Sequence, residues 1–150
     1  MGETKKETKE SVSSNAGQAI SRRILVAEDN KGIRDIISRF LEFMGFEVTL
    51  ACNGIEAFAL FVERSFDLVL TDLQMPAMDR LTLASQIKER SPSTPVILVT
   101  GCDRETVRNK TEKGPVDLVI FKPFRLEDLQ RTVQGALVSR EREHGSVKAR

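Results

Sequence analysis

Five short apolar runs recur along the chain, at 24–27, 46–51, 66–71, 96–100 and 116–121, and an amphipathic stretch follows each. The first, third and fourth runs are almost wholly apolar, the pattern of strands covered on both faces of a parallel sheet. The second alternates through Phe46, Glu47, Val48, Thr49 and Leu50, as an edge strand does. Between the runs, Ile33, Ile36, Ile37, Phe40, Leu41 and Met44 keep a 3.6-residue period; Asn30 is placed to cap this helix and Gly45 to stop it. Asn53 is placed to cap a second helix with Ile55, Phe58, Ala59 and Val62 turned inward. Asp79 opens a third, carrying Leu81, Ala84 and Ile87, which ends before Ser91-Pro92. The stretch 103–113 has Val107 as almost its only large apolar residue and predicts a short, loosely held helix. Leu126, Leu129, Val133, Ala136 and Leu137 mark the last.

Strand and helix in strict alternation imply an α/β fold, with right-handed crossovers placing helices on both faces of a parallel sheet. Ligands in such sheets bind beyond the carboxyl ends of the strands. The residues there are polar: Glu28-Asp29 after the first strand, Asp72 after the third, Thr100 ending the fourth, and Lys122-Pro123 after the fifth. Parallel strands project all of these side chains from one edge.

A length of 150 residues suits a single domain. Residues 1–21 are rich in Lys, Glu, Ser and Thr and have too little apolar surface to fold alone, so they are read as a disordered tail. The domain then occupies 22–139, and 140–150 form a charged C-terminal tail. The formal net charge of +1 gives no general basis for nucleic-acid binding, and none is expected. No apolar stretch is long enough to span a bilayer, and the first residues lack the apolar core of a secretory signal. The expected location is the cytoplasm, with no membrane insertion. Cys52 and Cys102 are too far apart for a CxxC metal or redox motif and read as reduced thiols. The single histidine, His144, lies in the charged tail, so a histidine-based triad within the core is excluded.

Three neighbouring carboxylates repel one another unless a cation joins them. Hard oxygen donors suit Mg²⁺, which commonly takes one or two carboxylates together with waters and phosphate oxygens. Lys122 offers a compact positive charge for a phosphoryl oxygen, and Thr100 a hydroxyl donor. Asp72 is the natural nucleophile, since carboxylates form aspartyl phosphates. Taken singly, each residue has an ordinary explanation: Glu28-Asp29 as turn residues, Lys122-Pro123 as an exposed corner, Thr100 as a satisfied strand-end hydroxyl. Four different strand–helix corners contributing to one chemistry is what favours a shared site.

These segments resemble a known family. Ile24-Leu25-Val26-Ala27-Glu28-Asp29-Asn30 looks like the acidic opening of response-regulator receiver domains. The segment from Asp72-Leu73-Gln74-Met75-Pro76 to Ala77-Met78-Asp79 looks like their phosphorylation segment, and Val99-Thr100-Gly101 and Phe121-Lys122-Pro123-Phe124 match the two remaining signatures. The resemblance covers about 22–139 without a large gap. It implies a flavodoxin-like (βα)₅ doubly wound sheet with strand order 2-1-3-4-5. It implies Mg²⁺ on Glu28 or Asp29, on Asp72 and on the backbone carbonyl of Gln74, with Lys122 and Thr100 contacting the phosphoryl group. It also implies a histidine kinase or phosphotransfer protein as donor.

Two positions depart from the family. Arg80 stands where Gly usually follows the Met-Asp pair, which changes the backbone angles open to that loop. Val119 stands where the family's switch aromatic usually precedes the Lys by three, so an aromatic swing toward Thr100 is unavailable. Phe121 is read as facing the opposite side of the sheet from Val119, and as core rather than a substitute switch. The functional expectation is a stand-alone phosphoacceptor response regulator of a two-component phosphorelay. It would signal by docking to a downstream protein whose identity the sequence does not carry, and catalyse only its own phosphorylation and dephosphorylation. The alternative is a degenerate receiver acting as a phosphorylation-independent scaffold. An aspartate-nucleophile phosphatase of the haloacid-dehalogenase type is disfavoured, because Gln74 occupies the position of its second Asp and cannot transfer a proton.

Overall fold

Arg23–Ala27 (β1), Glu47–Ala51 (β2), Leu68–Asp72 (β3), Val96–Thr100 (β4) and Leu118–Phe121 (β5) form one parallel sheet in the order β2-β1-β3-β4-β5. Lys31–Phe43 (α1), Gly54–Glu63 (α2), Arg80–Arg90 (α3), Arg104–Thr111 (α4) and Leu126–Ala149 (α5) alternate with the strands. The structure is a computed structural model and describes residues 21–72, 80–101, 103–111 and 116–149. The flavodoxin-like order expected from the resemblance is the order observed, and β2 is an edge as its alternation indicates.

Side chains of successive strand residues enter opposite faces, and this period of two divides the core into layers. Ile24, Val26, Leu68, Leu70, Ile97, Val99 and Ile120 pack against Ile37 and Leu41 of α1 and Leu129 and Val133 of α5. Leu25, Ala27, Val69 and Val96 face the other way, onto Ala57 and Phe61 of α2 and Leu83, Ala84 and Ile87 of α3. Each fully buried Ile or Leu contributes roughly 1.5–3 kcal/mol relative to exposure. This double covering is why β1, β3 and β4 carry apolar residues without alternation.

The helix boundaries follow local chemistry. Asn30 Oδ1 accepts from the Ile33 N–H at 2.9 Å, and Asn53 Oδ1 from the Glu56 N–H at 2.8 Å, so both caps act as read. Gly45 ends the α1 turn at φ +99°, a conformation costly for residues with a Cβ. The inward face of α2 differs from the expected one. Gly54, Ala57 and Phe61 are buried, whereas Ile55, Ala59 and Val62 are exposed and Phe58 is half-buried. The segment is apolar nearly all round, so periodicity alone does not set its phase. The approach to β1 and β2 instead selects the small Gly54 and Ala57. In α1, Ile36 likewise stays exposed. The last helix continues beyond Leu137 through the charged residues to Ala149. Arg140 Nη1 donates to the Asp67 carboxylate at 3.0 Å and Arg22 pairs with Glu141, tying this extension to the starts of β3 and β1. Asp79, expected to open α3, lies outside the described residues.

A second correction concerns β5. Val119 and Phe121 share one face, both packing in the small cluster of Leu98 and Val107, while Ile120 faces the α1/α5 layer. Residues two apart on a strand point the same way, so Phe121 lies on the α4 side together with Val119.

Candidate functional site

Strand register brings the polar corner together. Ala27 pairs with Thr71 across β1–β3, so Glu28, the next residue, is level with Asp72 at the end of β3. Asp72 pairs with Val99, and Thr100 with Phe121, so the third, fourth and fifth strands end within one residue of each other. Lys122 follows directly, its N–H donating to the Thr100 carbonyl at 2.7 Å. The Lys122–Pro123 peptide is cis.

Lys122 Nζ donates to Asp72 Oδ2 at 3.1 Å and to Glu28 Oε1 at 3.2 Å. Glu28 is 2% exposed and Asp72 5%, so the lysine joins two buried carboxylates. Burial pushes the Glu28 carboxyl above its usual range; the Asn30 N–H, donating to Oε2 at 3.1 Å, partly opposes this, and the nearby Asp72 charge adds to it. Burial pulls the Lys122 ammonium down, but its hydrogen bond to Asp72 and the charges of Asp72 and Glu28 outweigh that and hold it above its ordinary value. The pair of acids is thus compensated by one cation, and the corner remains short of positive charge.

Asp29 is exposed beside them, and one carboxylate oxygen each from Glu28, Asp29 and Asp72 lie within 4.8 Å of one another. An all-oxygen, anionic donor set of this size fits a hard divalent cation such as Mg²⁺. Thr100 is fully buried at the end of β4. Gln74, whose backbone carbonyl is the remaining expected ligand, lies outside the described residues, as does Cys102.

One participant was not singled out in the sequence. Arg34 on α1 donates from Nη1 to the Glu28 carbonyl oxygen at 2.7 Å. A long cationic side chain in the first turns of a helix that directly follows an acidic strand end is the signal that marks it.

Residues 24–134 match the family model described as the response regulator receiver domain. The transcriptional regulatory protein SrrA of Staphylococcus aureus is 33% identical over 132 residues, covering 83% of this chain and 54% of SrrA. The chain therefore spans about half the length of the curated relatives it matches. A solved CheY-like receiver domain protein from Methanospirillum hungatei JF-1 superposes with a TM-score of 0.77 at 30% identity, over 83% of this chain and 99% of that one. The response regulator protein TrrA of Thermotoga maritima, solved in complex with Mg(2+)-BeF, gives a TM-score of 0.71 at 30% identity, over 77% of this chain and 98% of that one.

Proposed function

The chain belongs to the response regulator receiver domain family, and we propose that it is the phosphoacceptor of a two-component phosphorelay, taking a phosphoryl group onto Asp72 from a histidine kinase or phosphotransfer protein. Members of the family are phosphoacceptor regulators rather than enzymes acting on separate substrates. The observation that carries the reading is Lys122 joined to both Asp72 and Glu28 at the carboxyl edge of the sheet, beside the oxygen cluster with Asp29.

In this reading an Asp72 carboxylate oxygen attacks phosphorus, the bond from phosphorus to the donor imidazole nitrogen breaks, and the imidazole leaves. Lys122 then turns its ammonium to a phosphoryl oxygen, while Thr100 donates its hydroxyl to another. Glu28, Asp29, Asp72 and the Gln74 carbonyl would hold Mg²⁺, which supplies charge neutralisation on the transferring group. The Mg(2+)-BeF complex of the similar TrrA supports this choice of ion.

An apolar groove of about 500 Å³ adjoins Lys122, lined by Ile33 and Ile36 of α1 and by Pro123, Phe124 and Leu126. Its continuity with Lys122 offers the donor protein an apolar surface beside the phosphoacceptor. Output would pass to a protein partner in the cytoplasm. No helix among the described residues is long and apolar enough to cross a membrane.

Intact-mass measurement after treatment with acetyl phosphate tests the assignment. A single phosphoryl adduct that requires Mg²⁺ and is lost in Asp72→Asn is the expected result. Equal labelling of Asp72→Asn removes the assignment, and no labelling of the wild type favours a phosphorylation-independent scaffold.

A further inference from the structure

The peptide that leads from Glu28 into Asp29 is held by a side chain of α1. Arg34 is half-buried and donates from Nη1 to the Glu28 carbonyl oxygen at 2.7 Å. The Glu28 N–H donates to the Ala51 carbonyl at 3.1 Å, and the Glu28 carboxylate accepts from Asn30 N–H and Lys122 Nζ. The acidic residue is therefore gripped at its amide, its carboxylate and its carbonyl, and only the last grip comes from Arg34.

The Glu28 carbonyl belongs to the planar unit it shares with the Asp29 nitrogen, so its direction sets ψ of Glu28 and φ of Asp29 together. Those angles aim the Asp29 carboxylate, the exposed member of the three-carboxylate cluster. We propose that Arg34 is a positioning residue for the divalent-cation site, fixing the Glu28–Asp29 peptide so that Asp29 stands within reach of Glu28 and Asp72. The inference rests on the reading of this corner as a metal-dependent phosphoacceptor site.

Charge and position make opposite demands on Arg34. A guanidinium beside the acidic corner repels a second cation, so charge alone requires that its removal tighten Mg²⁺ binding. Fixing the peptide requires that its removal weaken binding. A residue that only satisfied a strand-end carbonyl would change stability and leave affinity where it was. The sign of the change in affinity therefore separates the three.

Titration with Mg²⁺, followed by calorimetry, compares the wild type with Arg34→Ala and Arg34→Lys, with thermal unfolding run alongside. The expected result is Mg²⁺ binding weakened about 10-fold in Arg34→Ala, the lower end of what outer-shell partners of metal ligands contribute. Part of it returns in Arg34→Lys, which restores a single donor. In the metal-free protein, the Asp29 and Asn30 amides of Arg34→Ala exchange hydrogen faster than in the wild type. If Arg34→Ala does not fold, Arg34→Gln, which keeps a donor on a shorter arm, carries the same comparison. Unchanged or tighter Mg²⁺ binding in a folded Arg34 variant overturns the proposal. A wild type that binds no Mg²⁺ removes the reading of the site, and this inference with it.

Discussion

Thr100 and Phe121 are register partners across β4 and β5, and the Arg104 guanidinium lies 4.4 Å from the centroid of the Phe121 ring. An aromatic thus sits beside the strand-end threonine, one residue before Lys122, and α4 rests on it through its first residue. Among the described side chains of α4, Val107 is the buried apolar one, so little else anchors this helix.

That sparse anchoring makes opening of α4 easy, since local stability follows buried apolar contact. Amide hydrogens of Arg104–Thr111 are expected to exchange faster than those of α1, and to slow when a beryllofluoride phosphoryl mimic is bound. Phe121→Leu removes the face under Arg104 and is expected to speed α4 exchange by a few-fold, matching the roughly 0.5–1 kcal/mol of an exposed cation–π contact. Equal protection of α4 with and without the mimic would count against its role as the responding segment.

Lys122→Ala is expected to fold and to bind Mg²⁺, more tightly than the wild type, because the cation that competes for Glu28 and Asp72 is gone. The bridge persists through neutral pH, since the raised Lys122 pKa means that its contribution is lost only as pH rises above the ordinary 10.5. The variant is expected to lose the amide shifts that the mimic induces in α4 and around Thr100. Wild-type-like shifts would show that Lys122 does not couple the phosphoryl group to conformation.

Glu28→Gln is expected to raise the metal-free unfolding temperature at pH 7 by a few degrees while weakening Mg²⁺ binding. The folded pKa of Glu28 is above its usual 4.5, so the native state binds the proton more tightly than the unfolded chain does. Charged Glu28 therefore lowers stability at neutral pH, and wild-type stability gains as pH falls through the folded value toward 4.5. The advantage of Glu28→Gln is accordingly greatest at neutral pH and gone below 4.5. Melting curves of both proteins between pH 4 and pH 7, in about ten equal steps, would show it; a constant difference would sink the idea.

The aspartyl phosphate is expected to be long-lived. Gln74 can hydrogen-bond a water but cannot take its proton, and Cys102 is a weak hydrogen-bonding group. By the family resemblance these side chains, two residues after Asp72 and two after Thr100, stand where an attacking water is placed, and neither type activates one, so positioning is expected to contribute little to hydrolysis. Phosphate release is expected to accelerate on Cys102→Glu or Cys102→Lys. A fast-decaying wild type, indifferent to changes at Gln74 and Cys102, would show that these two side chains do not control lifetime.

Much of this protein is written locally. The runs that become β1, β3 and β4 are apolar because both faces are covered, and Asn30, Asn53 and Gly45 mark helix ends through bonds and angles spanning a few residues. The strand-end acids, Thr100 and Lys122 were legible for the same reason: alternation of strand and helix already places them at one edge. Tertiary structure decided what depends on register and depth. Lys122 meets Asp72 and Glu28 across 50 and 94 residues only because three strands end level with one another. The buried face of α2 was set by how closely it approaches the sheet, which an all-round apolar segment does not encode. Arg34, six residues on, became a partner of the Glu28 carbonyl because α1 turns back over the strand it follows, and a single hydrogen bond between a side chain and a backbone oxygen leaves no periodic trace in a sequence.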